Sequence, residues 1–312
     1  MRKNIGSNLF ICLLVTIIIF IIRYSNEVME SVGFSISIWK DNLFPSLFPF
    51  FILSNLLLQY GFVEKVSILF RKIMPVVFHL PKEASFPFII SLFSGFPSGA
   101  KTTTDLVKNH VLTQEQGARL LTFTHYSNPL FVLGFIGSML LGSKKMGAII
   151  LFSHVVSSIV VGILFRPKVM EENNNRKMNS MNTYPSFGNA LRTSIFDSLN
   201  TMFLLLGIVT IFLIITTILS QLFSYGPIFN SFIAGLLEMT QGVKLASQLS
   251  LPLLSRAILM TIFISFGGFS VHMQVLSIIS EAKIKYKYFL IARILHAILA
   301  SILVFIFYFL CY

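Results

Sequence analysis

What the chain has least of is charge. Only 12% of its 312 residues are Asp, Glu, Lys or Arg, against about 25% in an average soluble domain. The hydrophobic share is 55%, with 33 Phe and a mean hydropathy of +0.81, which argues against a soluble enzyme. Cysteine is almost missing: Cys12 and Cys311 sit in apolar segments at opposite ends of the chain. No CxxC or Cys/His spacing occurs, so neither a disulfide framework nor a zinc site has support. Catalytic signatures are absent too. There is no nucleophile elbow, P-loop or HExxH, and the acidic residues fall almost entirely in loops. No catalytic residue, metal ligand or cofactor is therefore assigned, and the chain is not read as an enzyme.

What is present is a series of long apolar runs, several approaching the ~20 residues that cross a bilayer as a helix. The net charge of +12 would suit nucleic acid, but the basic residues lie in short loops between the runs. That placement orients membrane spans by keeping Lys and Arg on the cytoplasmic side. Membrane lipid is the expected surroundings and nucleic acid is not an expected partner.

Two stretches organise the rest: Gly95-Phe96-Pro97-Ser98-Gly99-Ala100-Lys101 and Glu238-Met239-Thr240-Gln241-Gly242-Val243-Lys244. Each interrupts an apolar run with turn residues and places a lysine about one turn into a short helix. The lysines are 143 residues apart, and the same offset pairs Gly99 with Gly242, Phe123 with Phe266, Tyr126 with Phe269 and Ser127 with Ser270. A duplicated membrane unit is the reading that accounts for these together.

Taken in order, residues 1–41 hold an uncleaved first span, Leu9 to Ile22, and a mixed segment from Tyr24 to Asp41 expected along the interface. Residues 42–165 are the first repeat. It has a span ending near Gly61, an amphipathic interfacial stretch from Val63 to Phe78, and an apolar segment, Ala84 to Phe96, short enough to be re-entrant. A capping box at Thr113 and Gln116 opens a span that His125-Tyr126-Ser127-Asn128-Pro129 interrupts halfway. Residues 166–186 are a cytoplasmic linker that buries nothing. Residues 187–312 are the second repeat, with a hairpin from Pro227 to Ser250 and a span broken at Gly267-Gly268-Phe269-Ser270-Val271-His272. The fold class is an all-α polytopic membrane protein: an inverted repeat of three spans plus one re-entrant helical hairpin each, preceded by one extra N-terminal span. With the N-terminus inside, fourteen loop Lys and Arg fall inside, against Arg23, Lys40, Lys144 and Lys145 outside.

Hairpins entering from opposite faces bring two helix starts together near the midplane, where free amides and about half a positive charge each attract an anion. Lys101 and Lys244 strengthen that field. A lysine at a membrane helix centre costs roughly 2.5–3.5 kcal/mol to insert, so two at matching places suggest a function, the plainer alternative being that each reaches an interface. The substrate-binding candidates are Ser98, Gly99 and Lys101 from the first tip, and Glu238, Gln241 and Lys244 from the second. Ser127 and Asn128 come from the first break, and Ser270, His272 and Gln274 from the second. Glu238 has three open roles: an ion pair with Lys244, a proton carrier, or a cation ligand. Phe96, Tyr126 and Phe269 are candidates for ring stacking. His79, His110, His154 and His296 share no spacing and receive no role.

Phe44-Pro45-Ser46-Leu47-Phe48-Pro49-Phe50-Phe51, the Gly95–Lys101 stretch, His125-Tyr126-Ser127-Asn128-Pro129 and Gly268-Phe269-Ser270-Val271-His272-Met273-Gln274 together resemble the sporulation integral membrane proteins of the YlbJ type, stage V. These lie within the wider nucleoside-recognition or Gate group of membrane proteins. The resemblance implies a transporter exporting dipicolinate, a flat pyridine dicarboxylate, from the mother cell across the outer forespore membrane. Transport of a nucleoside or another carboxylate, or a non-transporting role as a sporulation membrane partner, stays open beside it.

Overall fold

The computed structural model describes residues 2–62, 65, 68, 72–127, 129, 131–168, 185–223 and 226–312. Among these there is no strand. The helices, in chain order, are α1 (Arg2–Arg23), α2 (Ser25–Ile38), α3 (Phe44–Gln59), α4 (Ser85–Ser94), α5 (Ser98–Lys108), α6 (Gln114–Leu120), α7 (Phe131–Leu140, wound as a π-helix) and α8 (Lys144–Leu164). They continue with α9 (Phe187–Leu222), α10 (Pro227–Leu237), α11 (Met239–Ser247), α12 (Leu253–Phe266), α13 (Gly268–Ser280) and α14 (Lys287–Cys311). Among the described residues α8, α9, the α12–α13 pair and α14 are long and apolar enough to cross a membrane. Large apolar side chains such as Ile18, Phe203, Ile211, Ile302 and Phe305 are exposed on this fold, as a lipid-facing surface requires. The all-helical polytopic membrane class is what the molecule shows.

The segment expected at the interface, Tyr24 to Asp41, is helical and does not stand alone. A π-turn, Trp39–Leu43, carries α2 into α3 without a break. The combined helix runs antiparallel to α9, stitched by polar side chains in an otherwise apolar seam. Ser31 Oγ lies 2.6 Å from Thr217 Oγ1, and Ser35 Oγ 2.8 Å from Thr210 Oγ1. Trp39 Nε1 donates to Met202 O at 2.8 Å and Gln59 Nε2 to Ser194 Oγ at 3.1 Å. At 36 residues, α9 is about 54 Å long at 1.5 Å per residue, well beyond the ~30 Å hydrocarbon core. The sequence places this span at Thr193 to Ser220. Its ends run beyond that span as largely exposed helix, Asn189, Arg192 and Gln221 among the exposed residues. The amphipathic stretch Val63 to Phe78 is described in part and ends in a π-helical turn, Met74–Phe78, while most of the linker lies outside the described residues.

The capping box forms as the sequence predicts: Gln116 N–H donates to Thr113 Oγ1 at 3.1 Å, and Thr113 N–H to Gln116 Oε1 at 3.0 Å. It starts only a seven-residue helix. The chain then unwinds through Thr124–Ser127 before α7. In the other half α12 stops at Gly267, whose φ of +94° is a left-handed conformation that a side chain would strain.

Polar contacts sort the loops into two ends. At one, His79 Nδ1 meets Pro167 O at 2.6 Å, Arg119 Nη1 donates to Phe165 O at 3.2 Å, and Lys108 Nζ reaches Glu281 Oε2 at 2.8 Å. At the other, Ser143 Oγ lies 2.6 Å from Tyr312 OH and Lys145 Nζ donates to Cys311 O. The α4–α5 hairpin opens at the first end, through Lys108. The α10–α11 hairpin follows the far end of α9, near Val28, Ile214 and Ile218, and opens at the second. The starts of α8 and α14, at Lys144 and Lys287, are again 143 residues apart, and α14 packs against both α8 and α12.

Candidate functional site

Each hairpin tip is tied to one helix break. Phe96 N–H donates to Tyr126 O at 2.7 Å, and a Cβ on Gly99 would sit 2.0 Å from Thr124 O. The first tip therefore leans closely on the backbone of the unwound stretch. In the second half a Cβ on Gly268 would lie 3.0 Å from Met239 N and 3.1 Å from Gly235 O, while one on Gly242 would be 2.1 Å from Gly235 Cα. Close backbone approach is what glycine permits at such places, and Gly99 and Gly242 are repeat equivalents.

Between the tips lies a cavity of about 560 Å³. Phe96 from the first tip and Met239 and Thr240 from the second border it, together with Phe34, Ser37 and Asp41 of the α2–α3 helix and Phe131, Gly134 and Phe135 of α7. Its wall is largely apolar and aromatic, which suits a small flat ring. Of the three ring candidates only Phe96 reaches it. Tyr126 is buried at 1% exposure and Phe269 points outward at 44%.

The structure distributes the remaining candidates unevenly. Ser98 opens α5 and is buried with its Oγ lacking a partner among the described residues, as are Ser127 Oγ, Ser270 Oγ and Gln241 Oε1. Gly99 and Gln274 are buried, and Asn128 lies outside the described residues. Lys101 is not a lone cation: its Nζ bonds both carboxylate oxygens of Asp105, at 2.9 and 3.2 Å. Sequence reasoning overlooked Asp105, one helical turn further on. Lys244 stands 4.3 Å over the ring of Phe34, a cation–π contact. Glu238 does not pair with Lys244. It caps α11, accepting from Gln241 N–H at 2.9 Å and from the Thr240 hydroxyl, so the ion-pair role falls away because a free helix start lies closer. The Ser270 hydroxyl faces the same carboxylate without full hydrogen-bond geometry. His272 is held by Tyr286 OH at 2.6 Å and by Phe266 O at 3.1 Å, so it secures the second break.

A polar centre that sequence reasoning missed lies behind the first break. Arg293 of α14 is fully buried. Its Nη1 donates to His125 O at 3.2 Å and contacts His296 Nδ1 at 2.8 Å, and its Nη2 donates to Thr122 O. His296 Nε2 meets His154 O at 2.8 Å, His154 Nδ1 meets Ser265 Oγ at 3.0 Å, and Ser127 N–H donates to His154 Nε2 at 3.0 Å. The available signal was Arg293 itself, an ionisable residue inside the apolar closing span, which is functional by default.

Broken spans, two hairpins with tips on one cavity and an exposed apolar surface define a polytopic helical integral membrane protein. No family model and no solved structure matches the chain. It is similar to the sporulation integral membrane protein YlbJ of Bacillus subtilis (strain 168), with 28% identity over 319 aligned positions, 91% of this chain and 78% of that protein. That likeness bears out the resemblance to the YlbJ type.

Proposed function

We propose that the chain is a sporulation membrane transporter of a small organic anion, dipicolinate by resemblance, acting at the outer forespore membrane. The observation that carries the reading is the cavity bordered by equivalent residues of both hairpin tips, Phe96 and Met239. A site shared by two interrupted units is the arrangement in which rocking one unit against the other exposes a substrate to alternate sides. Helix boundaries recurring at one offset, and hairpins opening at opposite ends, support reading residues 42–165 and 187–312 as an inverted repeat. The aromatic wall would hold the ring face. The carboxylates would be met by the helix starts at Ser98 and Met239 and, once the tips separate, by Lys101 and Lys244. No bond-making chemistry is assigned. Proteoliposomes holding the purified protein should accumulate radiolabelled dipicolinate above protein-free vesicles. Equal accumulation in both would sink the reading.

A second reading has its own observation. Asp41 is the carboxylate on the cavity wall, while Lys101 is paired with Asp105 and neither lysine borders the cavity. An uncharged ring compound such as a nucleoside suits that wall. Labelled uridine in the same vesicles separates the two.

A further inference from the structure

Unwound backbone inside a membrane needs partners for the amides and carbonyls that a helix would have satisfied. The two breaks solve this differently. The second closes largely on its own half, with His272 of α13 on Phe266 O and on Tyr286 OH. The first is held largely from the other half, through α14. Arg293 takes the carbonyls of Thr122 and His125, and His154 takes the amide of Ser127. His296 then links Arg293 to the backbone of α8 at His154, and Ser265 of α12 completes the ring of contacts. Three packed helices thus hold the six residues from Thr122 to Ser127, the last four of them unwound.

Those six residues carry one wall of the cavity. Phe96 N–H hangs from Tyr126 O at 2.7 Å, and the Phe96 ring stacks on His125 with centroids 4.8 Å apart and planes 13° from parallel. His125 also meets Phe289 edge-on at 5.1 Å, and Phe289 lies one turn before Arg293 on α14. We propose that Arg293 is a positioning residue for the substrate site: by gripping Thr122 and His125 it fixes the place and tilt of the Phe96 ring that lines the cavity. A buried guanidinium suits this because its rigid fork reaches several acceptors at once, where a lysine reaches them one at a time. Arg293 touches no substrate in this account. It acts through His125 and Phe96, and the inference rests on the transport reading only where substrate affinity is the readout.

The experiment has one arm with substrate and one without. Without substrate, a tryptophan reporter is built by Trp39→Phe together with Phe96→Trp. Adding Arg293→Gln should shift its emission and raise its accessibility to acrylamide, with Arg293→Lys giving a smaller change. Unchanged emission and quenching in a monodisperse Arg293→Gln protein would overturn the inference. With substrate, calorimetric titration of dipicolinate should show affinity falling about tenfold or more for Arg293→Gln, less for Arg293→Lys. The loss should be non-additive with Phe96→Leu, as expected for residues acting as a unit. Full additivity would overturn it as well. If wild type binds no dipicolinate, the proposed substrate fails while the reporter arm still decides the role of Arg293. Should Arg293→Gln not fold, His296→Gln in the reporter background is expected to shift emission in the same direction, and no shift there counts against the proposal.

Discussion

Phe96 and Met239 hold the same place in two helical hairpins, 143 residues apart, and both border one cavity. The two are chemically unlike, one a rigid ring and the other a flexible thioether. The first tip rests on backbone gripped by Arg293, whereas the second rests on Gly267 and Gly268 with positive φ.

The lysines are separable by their partners. Lys101→Met leaves Asp105 unpaired at 13% side-chain exposure, and breaking a buried pair from one side costs about 3 kcal/mol. Lys101→Met should therefore lower the melting temperature, and Lys101→Met with Asp105→Asn should recover most of it. Lys244→Met keeps packing against Phe34 and should change stability little. Transport should fall in all three. Normal flux in both single variants would remove the lysines from the site.

Gly99 and Gly242 are tests of the hairpin tips. An added methyl meets Thr124 O at 2.0 Å in one and Gly235 Cα at 2.1 Å in the other. Neither neighbour is a side-chain end that can swing away. Gly99→Ala and Gly242→Ala should each destabilise by about 1–3 kcal/mol or more, read as melting temperature in detergent. Gly134→Ala, on the cavity wall with nothing within 4 Å of its Cβ position, is the control and should melt as wild type.

Glu238 caps α11, so its amide isostere should be tolerated structurally. Glu238→Gln keeps an oxygen for the Gln241 amide and should stay folded, whereas Glu238→Ala loses the cap at about 1 kcal/mol. Thermal unfolding of the two variants side by side checks the order. Equal stability would mean that the capping bond contributes nothing.

Much of the fold was written in local chemistry. Gly267-Gly268 and Pro129 announce breaks because glycine and proline act on their own backbone, and Thr113 with Gln116 announces a helix start for the same reason. The partners of the charged site residues were harder to read. Asp105 needed only helical spacing from Lys101. Phe34 under Lys244 and the grip of Arg293 on Thr122 and His125 join segments about 170 to 210 residues apart, and no local pattern encodes such pairs. His154 and His296 looked unrelated because their link runs through α8 packing on α14, a tertiary fact. Of the three roles open to Glu238, the ion pair leaned on proximity in sequence to Lys244, when the nearer claim on its carboxylate was the helix start it precedes.

Topology follows from the charge asymmetry and from the two ends defined by contacts. Lys144, Lys145 and the C-terminus belong to one end, joined by Lys145 with Cys311 and Ser143 with Tyr312. Glu281, Lys285 and Glu115 belong to the other. With Cys12 and Cys311 replaced by alanine, Ser143→Cys should react with an impermeant maleimide in intact cells. Ser280→Cys should react only after permeabilisation. The reverse pattern would invert the assignment of inside and outside.

The last prediction is ligand preference. A dianion and a neutral nucleoside offer the cavity similar rings, so Phe96, Phe131 and Phe135 do not discriminate between them. Charge does. Two lysines and two helix starts surround the tips, and only an anion offsets the desolvation of ammonium groups brought toward it. Asp41 on the wall and Glu238 beneath Thr240 act in the opposite sense, so the net field decides. With Lys101 already matched by Asp105 and Glu238 occupied by α11, Lys244, over the Phe34 ring on the cavity wall, is the tip lysine with no carboxylate partner among the described residues. The balance therefore favours the anion. Dipicolinate at millimolar concentration should raise the melting temperature of the purified protein by several degrees, and uridine should not. Lys244→Met should reduce the dipicolinate shift without creating one for uridine. Stabilisation by uridine alone would transfer the protein to the nucleoside reading and leave Asp41 as the residue to mutate next.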